Sequence, residues 1–179
     1  MTTPPRTGRK VAETEIRHSI SIAAPIDVVW AEITKVGARQ RAQLDAVLET
    51  SFQPGDPLYY KSQDGSRVFL VGRVLEFDPP TTFRHTQVLT MRDDPLTVVE
   101  WHLETIPEGT RVTLVNSGWP AEAKMDKVGA TWKAILASLK SVVESGDVSG
   151  RQKITLFFMR TFTFMMPSTT KTENVAVPD

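Results

Sequence analysis

The feature that most restricts what this chain can fold into is an amphipathic stripe near its end. Met125, Val128, Trp132, Ile135, Leu136, Leu139 and Val143 recur at helical spacing, with Lys127, Lys133, Lys140 and Glu144 on other faces. Gly146 follows where a helix terminator belongs. A helix of about 20 residues is roughly 30 Å long, and one apolar face of that length must be covered. A concave sheet is the natural cover, and the residues upstream supply strands for it.

Ile16, His18, Ile20 and Ile22 alternate with Arg17, Ser19 and Ser21, the period of a half-buried strand. Pro25 suits the first position of a short helix that carries Ile26, Val29, Trp30 and Ile33 on one face. The charged stretch Val36 to Gln43 reads as a loop or a second helical turn. Strand-like runs then follow at Leu44–Phe52, Leu58–Ser62, Arg67–Phe77, Thr82–Met91, Leu96–Ile106 and Thr110–Ser117. Turn residues separate them: Pro54-Gly55-Asp56-Pro57, Asp64-Gly65, Asp78-Pro79-Pro80, Asp93-Asp94-Pro95 and Pro107-Glu108-Gly109. Short strands so spaced predict an antiparallel meander. The expected class is α+β: a curved antiparallel sheet of six to seven strands around a long C-terminal helix.

The 179 residues suffice for one domain with a proper core. Lys+Arg and Asp+Glu both number 21, and a net charge of zero argues against nucleic acid as a main partner. With no cysteine there is no disulfide framework and no thiolate zinc site. Met1 to Lys10 lack the apolar stretch of a secretory signal, and no run of about 18 apolar residues offers a membrane span. The expected address is the cytoplasm. Residues 1–14 are expected to be a flexible arm, 15–146 the domain and 147–179 an apolar extension.

Three segments resemble a known family. Ala24-Pro25-Ile26-Asp27-Val28-Val29-Trp30, Gly72-Arg73-Val74-Leu75-Glu76-Phe77-Asp78-Pro79-Pro80 and Trp132-Lys133-Ala134-Ile135-Leu136-Ala137-Ser138-Leu139-Lys140, the last followed by Glu144-Ser145-Gly146, stand in the order seen there. They are similar to motifs of the activator of Hsp90 ATPase homologue family, within the START-like (SRPBCC) superfamily of helix-grip folds. That resemblance implies a hydrophobic cavity between sheet and long helix, able to hold a small apolar or amphipathic molecule. Family members often carry a Trp after the first helix, where this chain reads Val36-Gly37-Ala38-Arg39-Gln40-Arg41; the mouth of the cavity is therefore lined differently.

Strand parity singles out candidate ligand contacts. Phe83, His85, Gln87 and Leu89 share one face, so inward Phe83 and Leu89 carry His85 and Gln87 in with them. Burying such groups without partners costs on the order of 1–3 kcal/mol each, a cost that a polar ligand or water relieves; the alternative is that they bond to each other or to nearby backbone. Trp101 shares its face with Val99 and Leu103, Trp132 opens the helical stripe, and Tyr60 shares parity with Leu58. The candidate ligand-binding set is Tyr60, His85, Gln87, Trp101 and Trp132. His85 titrates near neutral pH when unperturbed, but no companion nucleophile is evident, so no catalytic residue is named. Glu100-x-His102-x-Glu104 is spaced like a metal ladder yet reads better as a solvated strand face, and His18 reads as a hydrogen-bonded strand residue. No metal or cofactor is expected.

Ile154 to Met166 is strongly apolar. Three uses compete for it: an extra helix packed on the domain, a homodimer contact or lid over the pocket, or a membrane-surface segment. The functional expectation is a carrier of a small hydrophobic molecule. The alternatives are a cyclase- or hydrolase-like enzyme using His85, and a chaperone-accessory protein that binds a partner through its surface and tail.

Overall fold

The computed structural model describes residues 14–91, 94–148 and 167–178. Residues 1–13 of the expected arm, Asp93 of the Asp93-Asp94-Pro95 turn and the apolar run from Ile154 to Met166 lie outside the described residues.

Among the described residues, eight strands form one antiparallel sheet: β1 (Thr14–Ile22), β2 (Arg39–Gln40), β3 (Ala46–Glu49), β4 (Pro57–Lys61), β5 (Val68–Asp78), β6 (Thr82–Leu89), β7 (Thr97–Ile106) and β8 (Gly109–Trp119). Their order is β1-β8-β7-β6-β5-β4-β3-β2, so the meander is closed on one side by the first strand pairing with the last. Helix α1 (Ile26–Ile33) follows β1, and α2 (Met125–Ser145) follows β8. The architecture is the α+β helix grip expected from the sequence, with one difference in strand count. Val36–Gln43 is neither a plain loop nor an α-helical turn: Arg39–Gln40 pairs with Ala46–Val47 as an eighth, edge strand, and Arg41–Gln43 makes a 3-10 turn. The run expected from Leu44 shortens because Leu44 and Asp45 take φ of 56° and 61°, outside any strand.

The sheet bends where its ladders slip. Register shifts occur in β1 between Thr14 and Ile16, in β4 between Tyr60 and Lys61, and in β5 between Val74 and Glu76; such irregularities sharpen local curvature. Gly72 is required at this bend. A Cβ there would sit 1.9 Å from the Thr86 carbonyl oxygen, whereas bare backbone lets β5 and β6 come this close.

Helix α2 has 21 residues, ends at Gly146 in the left-handed conformation, and buries Gly129, Trp132, Leu136, Ser138 and Leu139. Val128, Ile135 and Val143 pack half-buried at the margin of the same core. Its C-terminal end is fixed to β1, where Lys140 donates to the Ser21 carbonyl (2.6 Å) and the Ala23 N–H donates to Glu144 (2.7 Å). One end of the concave face is plugged by α1 and an aromatic cluster. Trp30 meets Phe77 at 5.4 Å, Phe77 stacks on Phe52 at 4.2 Å, and Phe83 stands edge-on to both.

The joint between sheet and helix is polar. Asn116 on β8 is fully buried, its Oδ1 accepting the indole N–H of Trp119 (2.7 Å) and of Trp132 (2.9 Å), while its Nδ2 donates to the Val98 carbonyl (2.9 Å). An acceptor that serves two buried donors cannot be replaced by an apolar isostere without leaving both unpaired. Asn116→Leu is therefore expected to lower stability by about 2–5 kcal/mol. Denaturant unfolding checks this, and a loss below about 0.5 kcal/mol would show that the joint is dispensable.

Candidate functional site

The inward face of β6 changes character along its length. Phe83 lies at the plugged end against Trp101 of β7, His85 comes next opposite Val99, and Gln87 follows opposite Thr97. All three are buried, at 0%, 2% and 6% exposure. Across the sheet, one transverse row reads Val74, His85, Val99, Asn116 and Ile16 on β5, β6, β7, β8 and β1. On the far side of β5, Tyr60 of β4 is buried against the same core. From the helix side Trp132 reaches down to Trp101, their rings edge to face at 6.3 Å. The five residues singled out by parity and helical spacing thus all sit in the layer between sheet and α2.

Their polar atoms differ in what they have to bond. Trp132 is committed: its N–H is held by Asn116. The other four present groups that no described residue satisfies. The Trp101 indole N–H and the Gln87 Oε1 are completely buried without a hydrogen-bond partner. His85 makes a single hydrogen bond, from Nδ1 to the Thr86 carbonyl at 2.9 Å. A carbonyl only accepts, so Nδ1 carries the proton and Nε2 is left as an acceptor. Burial pushes the Tyr60 hydroxyl pKa up, which keeps that group protonated.

His85 is also held neutral. Burial pulls its pKa down to about 4, against a smaller opposing effect of its bond to Thr86. Its neighbours Val74, Val99, Phe83 and Gln87 bring no charge to offset that. Among the described residues, no Lys, Arg, Asp or Glu is buried. The layer is apolar and aromatic-rich, with a few uncharged polar groups.

The other sequence candidates lie elsewhere. Glu100 accepts from His102 (3.1 Å) and lies in an ion pair with Arg84 (3.2 Å), and Glu104 pairs with Arg111 at 3.0 Å, so the Glu-x-His-x-Glu ladder is an ion-paired strand face. No metal-binding cluster occurs among the described residues. His18 faces α2 at Gly129, where a Cβ would approach its Nε2 to 3.3 Å, and that nitrogen has no partner. Asn116 escaped the sequence reading, although its parity with Val112 and Leu114 marks it as an inward polar residue. Residues Pro167 to Pro178 return to the β4–β5 hairpin. There Thr172 N–H donates to Ser66 (3.2 Å), Arg67 donates to the Pro167 carbonyl (3.1 Å), and Arg73 Nε donates to the Pro178 carbonyl (2.9 Å). A surface hollow of about 640 Å³ lined by Ser66, Arg67, Lys171, Thr172 and Glu173 is the seam of that contact, on the outside of the fold. No helix among the described residues is long and apolar enough to cross a membrane.

A neutral buried His85 makes stability depend on pH in a definite direction. Its folded pKa, about 4, lies below the value of about 6.5 for an unfolded chain. The unfolded state therefore binds the extra proton as pH falls through that window. Stability is full above about pH 6.5 and declines toward pH 4, by at most about 3 kcal/mol from this group. Thermal melts of the wild type and His85→Phe at pH 7 and pH 4.5 check it. The wild type should lose more of its melting temperature than the variant, and equal losses would mean that His85 is not held neutral.

Comparison with known proteins agrees with this fold. Residues 23–144 match the family described as Activator of Hsp90 ATPase homolog 1-like protein, and the chain belongs to that family. Among solved structures it is similar to CalU16 from Micromonospora echinospora (TM-score 0.56, 19% identity, 86% of this chain and 85% of that one). It is also similar to the Aha1 dimer from Colwellia psychrerythraea (TM-score 0.57, 20% identity, 74% and 98%). A third likeness is to DynU16, a protein of the dynemicin biosynthetic locus (TM-score 0.61, 23% identity, 75% and 48%). At these identities the likeness is one of fold. No curated protein matches the sequence significantly.

Proposed function

We propose that this member of the Activator of Hsp90 ATPase homolog 1-like family is a cytoplasmic protein that binds a small, largely apolar molecule between its sheet and α2, with no covalent step. The observation that carries this reading is the set of unused polar groups on an otherwise apolar inner face. The Trp101 N–H and Gln87 Oε1 are buried and unpaired, and each costs on the order of 1–3 kcal/mol in that condition. A ligand with matching groups removes the cost, and a few polar groups amid apolar lining are how small-molecule sites orient what they hold. Tyr60, His85, Gln87 and Trp101 are the contacts proposed to touch it through polar atoms, and Trp132 through its ring.

An enzymatic role for His85 is less well supported. A base whose pKa lies near 4 is weak at neutral pH, and no buried carboxylate stands beside it among the described residues. The accessory-protein alternative draws on the family's name and on the dimeric Colwellia relative rather than on a surface of this chain. That DynU16 belongs to a biosynthetic locus is in keeping with small-molecule handling.

Protein purified from its own host should carry a co-purifying small molecule, visible by native mass spectrometry. After its removal, adding it back at 100 times its Kd should stabilise the fold by about 2.7 kcal/mol. For a chain of this size that is a rise of about 5–10 °C in melting temperature. A host-purified protein without bound mass, unmoved by extracts of the same cells, would contradict the proposal.

A further inference from the structure

The sheet carries a second buried apolar strip, on the side away from α2. Val68 and Val71 of β5 are 1% and 3% exposed. They stand opposite Lys61 and Tyr59 of β4, whereas Leu58 and Tyr60, at the alternate positions, enter the main core. Valines on the outer face of a sheet are buried only where something lies over them. Residues 167–178 bond to this face at both ends of the strip. Beside Val68, Arg67 pairs with Lys171 in an antiparallel bridge, and its Nη1 donates to the Pro167 carbonyl (3.1 Å) and the Thr170 hydroxyl (3.0 Å). Past Val71, Arg73 Nε donates to the Pro178 carbonyl (2.9 Å). The segment is a strap across the strip.

Threonine hydroxyls and backbone do much of the holding. Thr169 donates to the Thr90 carbonyl (2.8 Å) and Thr172 to the Gly65 carbonyl (2.6 Å), while the Thr172 N–H reaches the Ser66 carbonyl (3.2 Å). Of residues 167–174, Thr170 is buried and the rest are exposed. A segment with so little burial, held by exposed hydrogen bonds, opens locally while the domain stays folded. Its fit is also incomplete. A hollow of about 640 Å³, lined by Ser66, Arg67, Lys171, Thr172 and Glu173, stays open beside it.

We propose that the outer face of β4–β6 between Arg67 and Arg73 is a docking site for an extended segment of another protein, and that residues 167–178 are the resident occupant which such a segment displaces. The resident defines the partner's chemistry. It has hydroxyl side chains spaced Thr-Thr-x-Thr, backbone carbonyls placed for the two guanidinium groups, and a bulkier side chain at the position of Glu173 to fill the hollow. The tether gives the resident an effective concentration on the order of millimolar, so a displacing segment needs contacts that the strap lacks. The hollow supplies them. A second copy of this chain brings the identical segment without the tether and gains no contact, which favours a foreign partner over exchange of straps. This surface is independent of the ligand-binding reading above.

The test uses labelled synthetic peptides of residues 167–178: the parent sequence, one with Thr169, Thr170 and Thr172 all replaced by Val, and one with Glu173→Trp. They are titrated into the wild-type full chain and into a full chain whose own strap is weakened by Thr169→Val, Thr170→Val and Thr172→Val. Fluorescence anisotropy gives Kd, NMR shifts of Gly65, Ser66 and Thr90 locate the binding, and the Trp132 indole resonance checks the fold. One hydrogen bond is worth about tenfold in Kd. The parent peptide should therefore bind the weakened chain at least about tenfold more tightly than it binds the wild type, and by the same factor more tightly than the Val peptide does. Burying an added ring in the hollow should make the Glu173→Trp peptide tighter still, by about threefold or more. Equal binding of parent and Val peptides, binding indifferent to the state of the resident strap, or no gain from Glu173→Trp would overturn the proposal. A concentration-dependent dimer of the wild type that shifts the same three resonances would assign the face to strap exchange and overturn the foreign partner. One measurement needs no variant: in the wild type the Thr172 amide should exchange with solvent at least about 100-fold faster than the paired amides of β7 and β8. Equal protection would show that the strap is not displaceable.

Discussion

The fold depends on one obligation: α2 must stay docked against a bent sheet whose inner face is apolar. Side-chain packing supplies the bulk of that adhesion through Trp132, Leu136 and Leu139, but packing alone does not fix where along its axis a helix sits. Asn116 does. Its single carbonyl oxygen receives one indole N–H from α2 and one from Trp119 at the end of β8, so sliding the helix by a turn would strip a buried acceptor of a donor. At the other end Lys140 and Glu144 bind the backbone of Ser21 and Ala23. With both ends set, the fit beneath the middle of the helix depends on the sheet's curvature and on the close approach of β5 and β6 at Gly72.

That same approach shapes the chemistry. The Thr86 carbonyl which excludes any side chain at Gly72 also receives the proton of His85 Nδ1. The backbone geometry that bends the sheet thereby selects the tautomer of His85 on its inner face, and burial selects its charge. Polar character on this face increases away from the aromatic plug around Trp30, Phe52, Phe77 and Phe83, passing through His85 to Gln87.

Much of this was legible in the sequence, for identifiable reasons. The stripe from Met125 to Val143 has a period only a helix satisfies, and alternation in β1, β6 and β7 assigns Phe83, His85, Gln87 and Trp101 to the buried face without reference to any partner. What local patterns did not carry were effects of tertiary contact. Arg39–Gln40 becomes a strand only because β3 lies beside it, and two residues have no periodicity to read. Leu44 and Asp45 leave the extended region because the chain turns from the 3-10 segment into β3. Parity predicted burial for Trp101 and helical spacing did so for Trp132, but only the position of Asn116 decides that one indole is bonded and the other is not.

A high-resolution crystal structure of the protein as purified from its own host tests the central claim most directly. Ligand binding at this face predicts electron density for a small molecule beneath α2, within hydrogen-bonding reach of the Trp101 indole nitrogen and of His85 Nε2 or the Gln87 amide. Contradiction would be a solidly packed layer in which those same atoms are bonded to other parts of the chain, leaving no room and no unmet group for anything else.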